Sequence, residues 1–170
     1  MTNIRFKKLR VRDLHQLHKW LNTPHVIEWY TKKTSTLKEI ETQYLPRISG
    51  KDPTKSFIIT VDNNPIGYIQ EYLVRDDLEL KRYVEENSAG LDLFIGDPAY
   101  LGQGLGSQIL REFLKQVVFQ QEGITSCIVD PAPDNPRMIE TNEKVGFKHI
   151  ITTPKPDPKY LMIIHKEEVE

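Results

Sequence analysis

The stretch Gly90–Phe119, GLDLFIGDPAYLGQGLGSQILREFLKQVVF, decides how this chain is read. A short, mostly apolar run, Leu91–Gly96, precedes three glycines spaced two apart, Gly102, Gly104 and Gly106. An apolar pattern of helical period follows at once. Glycine in a helix costs roughly 0.5–1 kcal/mol relative to alanine, so this strand–turn–helix junction needs a reason for its composition. One reason is a plain tight turn. The other is an anion cradle: the first four helical N–H groups have no partner inside the helix, the helix dipole adds about half a positive charge there, and phosphate binds where both point outward. A Cβ in such a turn would hold the phosphate away from the main chain. The dinucleotide fingerprint, G-x-G-x-x-G near an initial strand, has wider spacing, and the Gly-Lys-Ser/Thr of a P-loop is absent.

The flanking sequence supplies an α/β frame around the turn. Ile4–Leu9 alternates as a first strand, and Leu14, Leu17, Trp20 and Leu21 recur at helical spacing with Asp13 as N-cap, ending at Thr23-Pro24. Thr36 and Glu39 have the spacing of a capping box for a second helix, which Pro46 is expected to close. Ser56–Val61 and Pro65–Val74 read as strands of a hairpin about Asp62-Asn63-Asn64. The charged run Asp76–Glu86 reads as a loop, a solvated face or an acidic rim. After the long helix, expected to reach about Gln121, come a strand in Ile124–Pro131, a helix capped by Asn135 and stopped at Gly146, and two strands about a proline-rich turn, Pro154–Pro158. The order β-α-α-β-β-β-α-β-α-β-β predicts an α/β (mixed α+β) fold in one domain over residues 1–170.

Composition narrows the function. With 170 residues the chain buries enough surface to fold without metal or disulfide. A net charge of −1 provides no field favouring nucleic acid or an anionic membrane. The single cysteine, Cys127, lies among apolar neighbours and is expected to be a buried strand residue. No apolar run approaches the roughly 20 residues of a membrane span, and the N-terminus lacks a signal-like apolar core; a cytoplasmic protein is expected.

Taken together, LDLFIGDPAYLGQGLGSQILREFL and IVDPAPDNPRMIETNEKVGF resemble the core of the GCN5-related N-acetyltransferase (GNAT) superfamily, most strongly over residues 90–147. The resemblance implies a mixed, mostly antiparallel sheet splayed between its fourth and fifth strands, with helices on both faces. It implies acetyl-coenzyme A as co-substrate and no metal. The main chain of Leu101, Gly102, Gln103, Gly104, Leu105, Gly106 and Ser107 would cradle the pyrophosphate, that of Leu93, Phe94 and Ile95 would pair with the pantetheine arm, and Asn135 would orient it. Two positions depart from the superfamily pattern: Leu101 stands where Gln or Arg is usual, and Asn142 stands where many relatives carry a tyrosine that protonates the leaving thiolate. Asparagine cannot give up a proton, although a thiol with a pKa near 8.5 leaves with little help.

A closer resemblance, carried by WLNTPHVIEWY, QYLP, PIGYIQEY, GLDLFIG, LGQGLGS and DPAPDN in this order, is to aminoglycoside 6'-N-acetyltransferases. It implies a polycationic amine as acceptor, with no nucleic acid or membrane partner, acting as monomer or homodimer. Carboxylates and aromatics suited to such a substrate are Glu28, Trp29, Tyr30, Tyr44, Tyr68, Glu71, Tyr72, Asp92 and Asp130, although Trp29 and Tyr44 are equally expected as core aromatics. Asp92 precedes the glycine turn and Asp130 ends the next strand, so diverging strands would let both flank a thioester. An ammonium must lose a proton before it attacks; the resemblance makes Asp92 the base, Asp130 the holder of a second ammonium and Asn142 a hydrogen-bonding group for the thiolate. Other readings are an acyltransferase for another amine (a siderophore hydroxylysine, a small polyamine or a protein amine) and a non-catalytic acyl-coenzyme A sensor.

Overall fold

In the computed structural model, which describes residues 2–169, strands β1 (Ile4–Lys8), β2 (Lys55–Val61), β3 (Asn64–Leu73), β4 (Ser88–Ile95), β5 (Ser126–Val129), β6 (Lys148–Thr152) and β7 (Tyr160–His165) lie in the order β1-β2-β3-β4-β5-β7-β6. The helices are α1 (Leu14–Leu21), a single turn α2 (Pro24–Val26), α3 (Leu37–Ser49), α4 (Leu105–Gln116) and α5 (Pro136–Val145). β1–β2, β5–β7 and β6–β7 are antiparallel, whereas β4 and β5 run parallel. Their register covers three pairs, Ser88↔Ser126, Ala89↔Cys127 and Gly90↔Ile128, although β4 continues to Ile95. The pairing ends at Gly90 and Ile128, one residue before β5 itself ends at Val129.

Packing divides the chain into two compact units, Met1–Gln70 with Asp92–Gln103 and Glu71–Leu91 with Gly104–Glu170. In the first, the apolar face of α1 (Leu14, Leu17, Trp20, Leu21) packs with Ile40 and Tyr44 of α3, Ile58 of β2, Tyr68 of β3 and Phe94 of β4. In the second, Ile109, Leu110, Phe113 and Leu114 of α4 are buried, as are Val145, Phe147 and Cys127.

Local chemistry accounts for most boundaries. Thr36 and Glu39 form the reciprocal capping box at α3, with Glu39 N–H to Thr36 Oγ1 at 3.2 Å and Thr36 N–H to Glu39 Oε2 at 2.7 Å. Asp62 and Asn63 both take positive φ (49° and 70°), the geometry of a type I′ hairpin turn. Pro46 does not close α3. The helix continues to Ser49 and stops at Gly50, φ 81°, because proline so near a C-terminus removes one bond while glycine alone adopts the left-handed exit at no steric cost. Asp13 does not cap α1 with its side chain; its Oδ2 accepts the Arg10 N–H at 2.8 Å one turn earlier. The long helix ends at Gln116 and gives way to a 3-10 turn, Val118–Gln120. A π-helical turn, Ile27–Thr31, follows α2; a 3-10 turn, Val74–Asp76, leads into the run Asp76–Glu86, which holds a second, Leu80–Arg82, with Val74 and Leu80 buried.

Candidate active site

The three glycines of the turn have separate reasons. Gly102 and Gly104 hold φ of 75° and 71°, a region that L side chains rarely adopt. Nothing lies within 4 Å of where a Cβ on Gly104 would sit, so that glycine serves its backbone conformation and leaves the main chain open. A Cβ on Gly106 would meet Thr141 Cγ2 at 3.1 Å, so that glycine lets α4 and α5 approach. Gly104 is also the N-cap of α4 and supplies no capping side chain, in contrast to Thr36 at α3 and Asn135 at α5. Ser107 Oγ turns back to the Gly104 carbonyl at 3.2 Å, and Gln103 Nε2 donates to the Ala99 carbonyl at 2.6 Å. Their side chains thus brace the turn, whose main chain is uncovered at Gly104.

Asp92, half-buried on β4, accepts a hydrogen bond at Oδ2 from Gln70 Nε2 at 2.8 Å. Gln70 in turn accepts at Oε1 from Tyr68 Oη at 2.8 Å and from Arg47 Nη1 at 2.5 Å. Tyr68 spends its one proton on Gln70, so it accepts from Ser56 Oγ at 2.7 Å and from Arg47 Nη1 at 3.3 Å. Arg47 also lies over the Tyr44 ring, 4.9 Å from its centroid. Tyr44 and Tyr68 are buried (2% and 0% exposed), their rings edge to face at 5.5 Å. Burial pushes the hydroxyl of Tyr44 well above the ordinary tyrosine value, and it raises that of Tyr68 against the lowering effects of Ser56 and Arg47. Both are therefore neutral at physiological pH. Half-buried Tyr30 meets Phe94 edge-on at 4.8 Å; burial, then the charge of Asp92, raises its hydroxyl as well.

Glu28 and Trp29 are exposed on the π-helical turn. Lys32 Nζ sits 5.2 Å from the Trp29 ring centroid and donates to the Glu28 carbonyl at 2.5 Å. The Ile95 carbonyl is engaged by His25 Nε2 at 2.7 Å; a carbonyl only accepts, so His25 carries its proton on Nε2. Leu93 and Phe94 turn their side chains into the interior, with Phe94 stacked on Tyr68 at 5.6 Å.

In the second unit, Asn135 Oδ1 caps α5 by accepting the Met138 N–H at 3.2 Å. Asn142 is 1% exposed, its Nδ2 3.9 Å from Met162 Sδ and its Oδ1 without a hydrogen-bond partner. Asp130 is bound by Lys159 Nζ at 2.8 Å. Burial raises its carboxyl, Lys159 opposes that, and Asp77 adds to it. Glu71 is 1% exposed and accepts from Gln121 Nε2 at 2.7 Å; Tyr72 packs its ring over Gly90.

Sequence reasoning missed Arg47, Gln70 and Lys159. Two of them carried a signal: Arg47 is three residues past Tyr44 on one helix, and Gln70 is two past Tyr68 on one strand, so each shares a face with a singled-out tyrosine. Lys159, in a proline-rich turn, carried none. Among the described residues no group of three or more His, Cys, Asp or Glu is placed to hold a metal ion, and no helix is long and apolar enough to cross a membrane.

Comparison with known proteins gives the site its context. The chain is 29% identical over 173 residues to the aminoglycoside N(6')-acetyltransferase type 1 of Klebsiella pneumoniae, covering 99% of this chain and 86% of that one. It is 27% identical to the N-hydroxyputrescine acetyltransferase of Acinetobacter baumannii, covering 71% of this chain and 56% of that one. Its fold superposes on the aminoglycoside acetyltransferase AAC(6')-Ib in complex with coenzyme A and kanamycin with a TM-score of 0.86, at 27% identity over 99% of this chain and 96% of the other. The family model described as an acetyltransferase (GNAT) domain matches residues 10–153. With that match over most of its length, and with an uncapped glycine turn opening α4, the chain belongs to the GNAT family of acetyltransferases.

Proposed function

We propose that the chain transfers the acetyl group of acetyl-coenzyme A to the 6'-amine of aminoglycosides. The observation that carries this reading is Asp92, a carboxylate on the strand before the glycine turn whose position is fixed by Gln70. The similarity to aminoglycoside acetyltransferases along nearly the whole chain supports the choice of acceptor.

On this reading the amides of the turn, Gly102 to Ser107, hold the diphosphate of the co-substrate, and the main chain of Leu93–Ile95 receives the pantetheine arm. Asp92 takes a proton from the substrate ammonium, directly or through one water. The freed amine attacks the thioester carbonyl, the nitrogen loses its second proton to solvent, the C–S bond breaks, and the amide and the thiolate of coenzyme A form. Asn142 has no proton to give, so the thiolate, with a thiol pKa near 8.5, takes its proton from solvent. The expected experiment is release of free thiol when the protein is incubated with acetyl-coenzyme A and kanamycin. Asp92→Ala is expected to lose about 10²–10⁴-fold in turnover while still binding coenzyme A. Thiol release no faster than the substrate-free rate across an aminoglycoside panel would remove this acceptor.

A second reading, a small diamine as acceptor, is favoured by one observation: Lys159 already neutralises Asp130, leaving one carboxylate fewer for a polycation. Similarity to the N-hydroxyputrescine acetyltransferase points the same way. Putrescine and spermidine in the same thiol assay separate the two.

A further inference from the structure

Four side chains in the first unit make a directed chain that ends on Asp92, and its far end is a guanidinium that no sequence motif singled out. Gln70 is an amide with two distinct ends. Its Oε1 receives Arg47 Nη1 at 2.5 Å and Tyr68 Oη at 2.8 Å, and its Nε2 donates to Asp92 Oδ2 at 2.8 Å. Flipping the amide would set its NH₂ against the guanidinium and its oxygen against a carboxylate, two repulsive contacts in place of three hydrogen bonds. Only one orientation of Gln70 is compatible with both neighbours. We infer that Arg47 is a positioning residue for the base: it fixes the Gln70 amide in the one orientation that donates to Asp92, and so fixes the Asp92 carboxylate. This rests on the reading of Asp92 as base.

The scaffold supports such a role. Tyr68 and Gln70 alternate on β3 and so share a face. Arg47 reaches them from α3, its guanidinium lying over the Tyr44 ring and ion-paired to Asp52 at 3.7 Å. The guanidinium side chain is 14% exposed, so its bond to Gln70 is shielded from solvent competition. Geometry at a base matters steeply, since a misplacement of about 1 Å can cost about 10²-fold in rate.

The test uses the full chain, acetyl-coenzyme A and kanamycin, with kcat and kcat/KM followed against pH. Arg47→Met keeps an unbranched apolar side chain and removes the guanidinium donors; kcat is expected to fall about 10- to 100-fold, with KM for acetyl-coenzyme A unchanged. Gln70→Glu is isosteric and sets a second carboxylate against Asp92. The pair must then share a proton, so the acid limb of the kcat/KM profile moves to higher pH and activity recovers in alkaline buffer, which a merely structural role would not produce. A readout without turnover is the Gln70 side-chain amide pair in a ¹H–¹⁵N spectrum, assigned by its loss in Gln70→Glu. It is expected to be protected from exchange in the wild type and to lose that protection in Arg47→Met. Wild-type kcat and pH profile in both variants, with the Gln70 amide still protected in Arg47→Met, would overturn the inference. Asp92→Asn separates the two levels: if it abolishes turnover while Arg47→Met and Gln70→Glu do not, the positioning role alone fails; if it retains turnover, the base assignment fails.

Discussion

At Asp130, burial and ion pairing act on one carboxyl in opposite directions. Burial raises it above the ordinary aspartate value, Lys159 pulls it down, and Asp77 pushes it up again, with a net rise. A raised carboxyl in the folded state means that the folded chain holds its proton more tightly than the unfolded chain. The group's contribution to stability is therefore full below the unfolded value and declines as pH rises through the folded one. Lys159→Met removes the opposing charge and enlarges the rise. The melting temperature of this variant is expected to trail the wild type more at about pH 8 than at about pH 5; a deficit equal at both pH values would show that the pair does not couple.

At the scale of elements, the junction of α4 and α5 isolates one glycine from its neighbours. Gly106 is confronted by Thr141 Cγ2 at 3.1 Å, and Thr141 is held in place by its own Oγ1 bonding the Arg137 carbonyl at 2.8 Å. Gly106→Ala is expected to cost about 1 kcal/mol through overpacking, despite alanine's better helix propensity. Thr141→Ser removes the obstructing methyl and keeps the hydroxyl. On that background Gly106→Ala is expected to be neutral or stabilising, and a double-mutant cycle of thermal melts reads the coupling. Additive effects would show that α5 yields freely. Gly104→Ala is a different experiment: no atom obstructs the Cβ, so whatever it costs comes from the positive φ.

For the whole molecule, the proposed cradle has a thermodynamic consequence that needs no acceptor. A ligand bound only to the folded chain at 100 times its Kd adds about 2.7 kcal/mol, which for a chain of this length raises the melting temperature by about 5–10 °C. Coenzyme A is expected to produce such a rise, and Gly104→Ala, which strains the turn, to reduce it. Absence of any rise at millimolar coenzyme A would remove the cradle from the account.

The sequence by itself determined the order of the strands and longer helices, the capping of α3 and α5, the hairpin turn and the glycine junction, because each depends on residues within a few positions of one another. Thr36 meets Glu39, Asn135 meets Met138, and Asp62 and Asn63 set their own φ. Local pattern misjudged Pro46, since Gly50 and the packing of α3 decide where that helix ends. The polar partners of the two acids were beyond it for the same reason. Gln70 reaches Asp92 across 22 residues of sequence, and Lys159 reaches Asp130 across 29. Those contacts exist only once strands and turns distant in the chain have packed, so tertiary structure alone decided how each carboxylate is held.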